Sequence, residues 1–443
     1  MEHIEAGRIL MGDSLGFHII FALLGVGLPV CFSLMEFLSI RRGDKALREH
    51  ARLWSFVASL LVITGVISGI VVALQMFLIW PGVLDFGGNA IGIGFSLEGY
   101  AFLFEAIFLA YYMKTWDKLK GYAHWALSIP IVLGATLSAY LITAVDAWMN
   151  HPSGFDYVNG QVVNPRPAEA IFNQTALVQG THSIISYYMT AALIVVAAYA
   201  WMTWRGKRPV AGTAATSRYI LRTFTLLAAG LLVIVAVLGD VSSKYLAKHE
   251  PTKLAALELL HDTQSNAPLY AGGSLDENMK VQGGIEIPGA LSYLTGWDSA
   301  TVVKGLDQQP KHLWPPLVVH TLFGVKMLLV VVLAGIAAAG VWVLRKRAQA
   351  AQRLPKAILA CLVAAPIVSI ATLELGWMMT ELGRQPYAVY GYVLTKDAMT
   401  DNAGVYQLGW IFPAAFLVLL VATFFSLRVL LKWYTPLHGR KSS

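Results

Sequence analysis

Long apolar stretches, separated by short polar and charged segments, dominate the hydropathy pattern of this chain. Each stretch is long enough to cross about 30 Å of hydrocarbon as a helix. A span in lipid must satisfy its backbone hydrogen bonds internally, which favours α-helices. The predicted spans cover residues 14–39, 53–80, 95–113, 122–149, 178–204, 219–240, 314–344, 355–381 and 406–431. The pattern predicts an all-α fold, a polytopic membrane helix bundle with about nine transmembrane helices.

Composition agrees with a membrane protein. Apolar residues make up 56% of the chain and charged residues 13%, against roughly 25% charged in an ordinary soluble domain. Cys31 and Cys361 both fall inside predicted spans, so no disulfide framework, CxxC metal site or CxxCH haem attachment is expected. The first span carries Asp13 and His18 near its start and has no small-residue cleavage site. It is therefore predicted to be a retained helix and not a signal peptide.

Basic residues are distributed unevenly between the two sets of connections. One set, with the C-terminal tail, holds 20 of the 33 Lys and Arg, although the opposite connections are much longer. The positive-inside rule then places the N-terminus outside and the C-terminus in the cytoplasm. The surplus of basic residues in the predicted cytoplasmic connections accounts for the net charge of +7. No nucleic-acid partner is therefore expected. The longest outer connection, residues 241–313, is of a length that is usually functional or disordered.

Several potential metal ligands are predicted to lie at one depth near the outer face. Four of them sit a few residues inside the outer end of an inward-running span, namely His18, Glu98, His182 and His320. Glu381 sits at the outer end of an outward-running span. Any one of these could simply bond to a neighbouring helix or to headgroup water. Together they favour a haem site, because histidines facing each other across a helix bundle commonly hold haem iron.

Residues 374–387 carry the strongest functional signal. A carboxylate, a tryptophan and an arginine at the mouth of an apolar helix are costly to place in lipid, which indicates a redox or transport centre. Gly376-Trp377 followed by Glu381-Leu-Gly-Arg384-Gln385-Pro386-Tyr387 resembles the GWxxxExGRQPW signature of subunit I of the cytochrome bd-type quinol oxidases. Similar matches along the chain are Phe17-His18, Glu98-Gly99, Leu137-Ser138-Ala139, Trp148-Met149, His182, Gly239-Asp240 and Lys253-Leu-Ala-Ala-Leu-Glu258.

The resemblance implies a haem-containing subunit that oxidises membrane quinol and reduces dioxygen to water. The family holds a low-spin haem b, a high-spin haem b and a third haem, d or a further haem b. His18 and Glu381 would be the axial ligands of the two high-spin haems, in an order that the motif does not give. Arg384 would lie near haem propionates, since a guanidinium suits carboxylates. Trp377 would lie between haems, or alternatively in an interfacial belt.

The low-spin haem site departs from the family pattern. His182 matches the family histidine, but the expected methionine setting MxxxG is replaced by His320-Thr-Leu-Phe-Gly324. Met327 is the other candidate, about 10 Å deeper by helical rise. Because His182 is expected close to the outer surface, the sequence favours His182 and His320 as the ligand pair. Loss of the methionine ligand would lower the haem potential.

Glu98 and Glu105 are seven residues apart, one fewer than the family spacing. Seven residues turn a helix by about 700°, which leaves both carboxylates on one face about 10 Å apart in depth. This geometry suits a proton path from the cytoplasm, with Ser138 and Asp146 of the fourth span nearby. Glu98 could also be a haem-facing carboxylate.

By resemblance, the outer connection would bind quinol. Lys253 and Glu258 could supply a donor and a base for quinol oxidation, with Asp240 at the end of the preceding helix; alone, the same motif would be an ordinary amphipathic helix. The expected organisation is a six-helix bundle with high-spin haem and proton-path residues (1–240), a quinol loop (241–313) and a three-helix segment (314–443). A second membrane subunit, a bilayer environment in the cytoplasmic membrane and an electrogenic reaction without a proton pump are also implied.

Two other classes fit parts of the pattern. A secondary transporter would place its sites near the midplane, often within inverted repeats, whereas no repeat is visible here. A non-oxidase haem b protein, which passes electrons from quinol to another acceptor, would need His182 and His320 but not His18, Glu381 or the glutamate pair.

Overall fold

The computed structural model describes residues 3–207, 209–347, 353–402 and 404–439, and it gives side chains in this part up to residue 432. Within these ranges, nine helices are long and apolar enough to span a membrane, which confirms the predicted helix bundle. The long helices are α1 His3–Arg42, α2 Lys45–Ile79, α3 Pro81–Lys114, α5 Ser128–Asn150, α7 Gln174–Trp204, α8 Ala214–His249, α11 Val318–Lys346, α12 Lys356–Arg384 and α14 Val405–Gly439. The fourth span also includes α4 Tyr122–Trp125.

Short elements occupy the connections. The helices are α6 Pro167–Ile171, α9 Pro251–Leu257, α10 Ala290–Gly296 and α13 Thr395–Ala398. The strands form four antiparallel pairs: β1 Asp156–Val158 with β2 Gln161–Val163, β3 Leu269–Ala271 with β6 Ile285–Ile287, β4 Ser274–Leu275 with β5 Val281–Gln282, and β7 Tyr387–Val389 with β8 Val393–Leu394. We refer to the side that carries residues 241–313 as the outer side.

Local sequence signals explain several helix ends. Gly43, at φ 65°, ends α1, and Asp44 then caps α2 by accepting a hydrogen bond from the Leu47 amide. Asn173 caps α7 in the same way through the Ala176 amide, and Thr213 begins α8 with a capping box. These side chains satisfy amides that the first helical turn leaves without partners. The tight turns therefore follow directly from the sequence.

The third transmembrane helix begins earlier than its predicted start at residue 95. Pro81 occupies its first turn, where a missing amide hydrogen costs nothing. Glycines in residues 81–94 permit close packing: a Cβ on Gly87 would lie 2.2 Å from the Trp148 ring, and one on Gly94 2.7 Å from Ile171. The glycine-rich segment resembles a loop in sequence but is helical because α5 and α6 pack against it.

The core is built around α1, α7 and α12. α1 contacts α2, α5, α7 and α14, and α12 packs against both α7 and α11. Gly27 lets α1 approach α7, because a Cβ at this position would lie 2.5 Å from the Ala191 Cβ. These close contacts hold the polar residues of α7 and α12 in a fixed register.

The outer connection is folded. Its small core contains Leu254, Leu260, Leu291 and Leu306, and Val319 from the start of α11 joins it. α9 contacts α8, α11 and α12. The connection thereby fixes α9 over the outer ends of three membrane helices.

Candidate functional site

A buried charge cluster lies at the outer end of α12. Arg384 donates to Glu381 Oε2 at 2.6 Å and to Asp146 Oδ1 of α5 at 3.2 Å. Gln179 of α7 donates to the other oxygen of Asp146 at 2.5 Å. Arg384 is 5% exposed, and its Nε has no partner among the described residues. One guanidinium thus joins two carboxylates and keeps a donor available for an anion.

Lys253 extends this cluster into the outer connection. Its Nζ donates to Asn150 Oδ1 and to Glu250 Oε2, both at 2.9 Å, and all three side chains are buried. Gly383 makes room for the lysine stem, because a Cβ there would lie 2.8 Å from Lys253 Cε. The sequence motif suggested a lysine facing quinol, whereas the structure places it inside an ion pair. Its position ties α9 to α5 and α12.

Glu258 follows α9 and is also buried. It is 1% exposed, and its Oε2 has no hydrogen-bond partner within the described part of the chain. Burial raises the pKa of this carboxyl to about 8, since a low-dielectric environment disfavours the charged form. Asp240 lies apart, on α8, and accepts a hydrogen bond from Lys244 at 2.5 Å. Of the three predicted quinol residues, Glu258 is the carboxyl with unused hydrogen-bonding capacity.

Deeper in the bundle, His18 of α1 faces α2, and Glu374 of α12 faces α1. His18 Nδ1 lies 3.0 Å from the Ser68 hydroxyl of α2, and Gly69 leaves space for the ring. Glu374 approaches α1 at Gly16, where a Cβ would lie 3.6 Å from its Oε2, while its buried Oε1 has no partner in the described structure. The sequence analysis gave Glu374 no role. The signal was its spacing, because residues 374, 377 and 381 share one face of α12.

Trp377 lies between these two levels. It packs against the main hydrophobic core and lies against Tyr187 of α7. By helical rise, Glu381 is about 10 Å farther out than Glu374. Glu381 of the predicted ligand layer therefore lies at an outer level of α12, and Glu374, which was not part of that layer, lies at a deeper one.

The glutamate pair of α3 faces α5. Ser138 donates to Glu98 Oε1 at 2.9 Å. Glu105 is 3% exposed, and its Oε1 lacks a hydrogen-bond partner in the described part. Gly134 of α5 allows the approach, since a Cβ there would lie 3.1 Å from the Glu105 Cβ. Both carboxylates therefore share the α5 face, as a seven-residue spacing requires.

His182 of α7 lies close to α8 and α11. Its Nδ1 is buried without a partner in the described structure, and a Cβ on Gly239 of α8 would lie 3.8 Å from the ring. Lys326 of α11 is close enough for its charge to act on the imidazole, and its Nζ would lie 3.5 Å from a Cβ on Gly376. Among the residues that the structure describes, no carboxylate pairs with Lys326. The sequence analysis overlooked this intramembrane cation, although such residues usually mark functional sites.

His320 and Met327 lie at different depths on α11. Met327 follows Lys326 directly, so its depth is close to that of His182. His320 is six residues farther out, about 9 Å by helical rise. Its Nδ1 lies 2.7 Å from the Leu257 carbonyl, and its Nε2 is buried without a partner in the described part of the chain. The depth relation expected from the sequence is thus reversed.

The sequence profile of cytochrome bd terminal oxidase subunit I matches residues 6–434. The chain belongs to this family. It is therefore a multi-pass, haem-containing subunit of a quinol:oxygen oxidoreductase of the bacterial cytoplasmic membrane. The family assignment favours the terminal oxidase over both the transporter and the non-oxidase haem protein.

Relatives match almost the whole oxidase subunit. A putative cytochrome bd menaquinol oxidase subunit I of Bacillus subtilis (strain 168) is 35% identical over 434 residues, which cover 95% of this chain and 94% of the relative. The cytochrome bd ubiquinol oxidase subunit 1 of the same organism is 27% identical and covers 91% and 87%. The structure of the bd oxidase from Geobacillus thermodenitrificans matches with a TM-score of 0.90 at 35% identity, over 97% and 98% of the two chains.

The unpartnered polar atoms of the site fit haem. They include two imidazole nitrogens, a carboxylate oxygen and a guanidinium nitrogen, on His182, His320, Glu374 and Arg384. Imidazoles and carboxylates can ligate iron, and guanidinium groups pair with carboxylates such as propionates. Gly324 faces open space, where a Cβ would meet nothing within 4 Å. The chemistry of these donors agrees with the haem content of the family.

Proposed function

We propose that this subunit oxidises a membrane quinol beside α9 and passes the electrons inward to reduce dioxygen to water. The observation that carries the proposal is the continuous hydrogen-bonded network of Asp146, Arg384 and Glu381 with Asn150, Lys253 and Glu250. It joins the proposed quinol loop to the residues proposed to hold haem. Bound haem would supply iron that carries single electrons and binds dioxygen.

We propose a protein ligand for each haem individually. His18 and Glu381 each hold one high-spin haem, of which one is b-type and the other is d or a further haem b. His182 holds a low-spin haem b. For its second ligand we propose Met327 and not His320, because Met327 has the depth of His182. Lys326, the residue next to Met327, lies close to His182, which supports this choice.

Two cations would pair with haem propionates. Arg384 keeps a buried Nε after it binds its two carboxylates. Lys326 lies beside His182 without a carboxylate partner in the described ranges. A haem propionate would accept a hydrogen bond from each of these cations. Trp377, between the two levels of α12, fills the space between the haem sites.

Glu258 is the proposed proton acceptor for quinol. Its buried carboxyl has an unused oxygen, and its raised pKa suits a base that takes protons near neutral pH. Lys253 is a positioning residue, because its ion pair with Glu250 fixes α9. Asp240 would act at the edge of the loop through its bond to Lys244. Quinol as the donor is supported by relatives that are named for menaquinol and ubiquinol oxidation.

Protons for water formation would reach the site along the α5 face of α3. Glu105 receives a proton from the cytoplasmic side, and Glu98 with Ser138 passes it toward the dioxygen site. Quinol releases its protons on the outer side. Uptake and release on opposite sides generate a membrane potential without a pump.

A second membrane subunit is the proposed protein partner, and the bilayer surrounds both. α2 and α3 expose many large apolar residues, as expected of surfaces that contact lipid or another membrane subunit.

Spectroscopy of the purified oxidase tests the haem assignment. Reduced-minus-oxidised spectra with pyridine haemochrome quantification should show low-spin and high-spin haems, and CO should bind the high-spin fraction. His18→Ala and Glu381→Ala should each remove one high-spin haem and eliminate oxygen consumption, because each haem loses its only protein ligand. Low-spin haem alone would contradict the proposal, and so would full turnover in either variant.

A further inference from the structure

One face of α10, in the outer connection, is aromatic and exposed. Tyr293 and Trp297 are 55% and 65% exposed, and their rings contact each other at 5.9 Å between centroids. Their spacing of four residues places them on the same side of the helix. Leu291 points the other way and is fully buried in the core of the connection. α10 therefore anchors through one face and presents two aromatic rings on the other.

The aromatic face lies at the outer end of an apolar stripe on α8. Val233, Val237 and Val241 follow one another at four-residue spacing and are exposed. Lys244 continues this side of the helix, and its Nζ lies 4.2 Å from the Trp297 ring centroid. α8 is among the more peripheral spans, because 17% of its most apolar 18-residue stretch is buried. Trp297 thus lies at the level along α8 where the exposed apolar stripe gives way to a charged residue.

The backbone at Trp297 indicates that the indole has a specific task. Trp297 ends α10 in the left-handed region at φ 61°. Glycine is the usual residue at such a helix end, because a side chain there is strained. Strained positions are retained where the side chain or backbone serves a purpose. A large ring at this position is therefore a costly choice.

We propose that α10 rests on the outer leaflet of the bilayer, with Tyr293 and Trp297 inserted among the lipid headgroups beside α8. Tryptophan and tyrosine favour this zone because an apolar ring and a polar hydrogen-bonding group are satisfied at once. The occupant of this surface is phospholipid, since the surface continues the lipid-facing stripe of α8 without a break. The anchor holds the outer connection against the membrane from which a lipid-soluble substrate would arrive. This inference stands whether or not Glu258 is the quinol base.

Quenching by brominated lipids tests the anchor. The oxidase is reconstituted in nanodiscs of phosphatidylcholine brominated near the headgroup end or deep in the acyl chain. Tryptophan fluorescence is recorded for wild type and for Trp297→Phe. The difference between them reports on Trp297 alone. We expect the difference signal to be quenched strongly by shallow bromines and weakly by deep ones.

Trp314→Phe is the matched control. Trp314 lies between this connection and α11, but its indole donates to the Gln309 carbonyl and lies near His261. Its difference signal should be quenched little by either lipid. Since the Trp297 ring is largely exposed, the phenylalanine variant should keep its haem spectrum, which verifies folding. An unquenched Trp297 signal would overturn the proposal, whether water or a second subunit covers the ring.

Discussion

Arg384 shows how much one side chain can hold together. It bridges Glu381 at 2.6 Å and Asp146 at 3.2 Å, and the side chains of Arg384 and Asp146 are 6% and 11% exposed, whereas that of Glu381 is 32% exposed. Removing one member of a buried ion pair leaves an uncompensated charge, which typically costs about 3–5 kcal/mol. The planar guanidinium reaches both carboxylates at once, a geometry that an ammonium group reproduces poorly.

Replacing Arg384 should therefore lower stability in graded steps. We expect Arg384→Met to reduce the melting temperature and haem content strongly, because Glu381 and Asp146 lose their cation. Arg384→Lys should fall between this variant and wild type. Differential scanning fluorimetry with haem quantification measures both effects. Equal melting temperatures for wild type and Arg384→Met would contradict the proposed role.

The second axial ligand of the low-spin haem can be decided by two variants. Met327→Ala should abolish the low-spin signal and leave the His18-dependent high-spin signals, because Met327 has the depth of His182. His320→Ala should keep a low-spin spectrum, since the His320 Nδ1 lies 2.7 Å from the carbonyl of Leu257 in α9. Reduced-minus-oxidised spectra give the result. The opposite outcome would restore the ligation by two histidines that the sequence favours.

At the scale of elements, α9 and Glu258, the residue that follows it, contribute buried polar groups to the outer connection. Lys253 fixes α9 through Glu250 and Asn150, and Glu258 is buried at its end. Burial raises the Glu258 pKa to about 8, so this carboxyl is protonated at neutral pH. A protonated carboxyl cannot accept the quinol proton.

Quinol oxidation should accordingly rise with pH. Below about pH 8, kcat/KM for quinol should increase up to about tenfold per pH unit as Glu258 becomes a base. Glu258→Gln should depress kcat/KM and remove this dependence. Glu286→Gln, on the exposed strand β6, is the matched control and should keep the wild-type profile. An artificial donor that feeds the haems directly should support turnover in both variants; an unchanged pH profile in Glu258→Gln would exclude this role.

At the scale of the whole molecule, the proposed proton path runs inward along α3, whereas the proposed quinol loop lies on the outer side. Glu105 lies deeper than Glu98 along the α5 face, whereas Glu258 lies in the outer connection. Turnover of oxidase reconstituted in vesicles should therefore create a potential that is positive on the outer side. A voltage-sensitive dye measures its sign and size.

Glu105→Gln provides the internal test of this vectorial arrangement. Loss of the carboxyl should slow oxygen reduction and the potential together, since both depend on protons from the cytoplasmic side. The low-spin haem spectrum should persist. Turnover without a potential of the expected sign would refute the arrangement, even with oxidase activity intact.

Local pattern alone predicted the spans, the family motif and the shared face of Glu98 and Glu105. Hydropathy and helical periodicity act within one segment, so neighbouring residues suffice to determine them. The same reasoning failed for residues 81–94, because their helix depends on the distant Trp148 and Ile171. It also overlooked Lys326, although a lysine within the predicted span 314–344 is itself a functional signal.

The sequence by itself determined that this chain is a helical membrane protein with the residues of a bd-type oxidase. The tertiary structure decided which of those residues meet. Arg384 and Asp146 are 238 residues apart in the chain, and Lys253 and Asn150 are 103 apart. Such contacts, and the depth of His320 relative to His182, depend on how far each helix slides along its neighbours. That register is set by close packing at positions such as Gly27, Gly134 and Gly383, which no pattern within one helix contains.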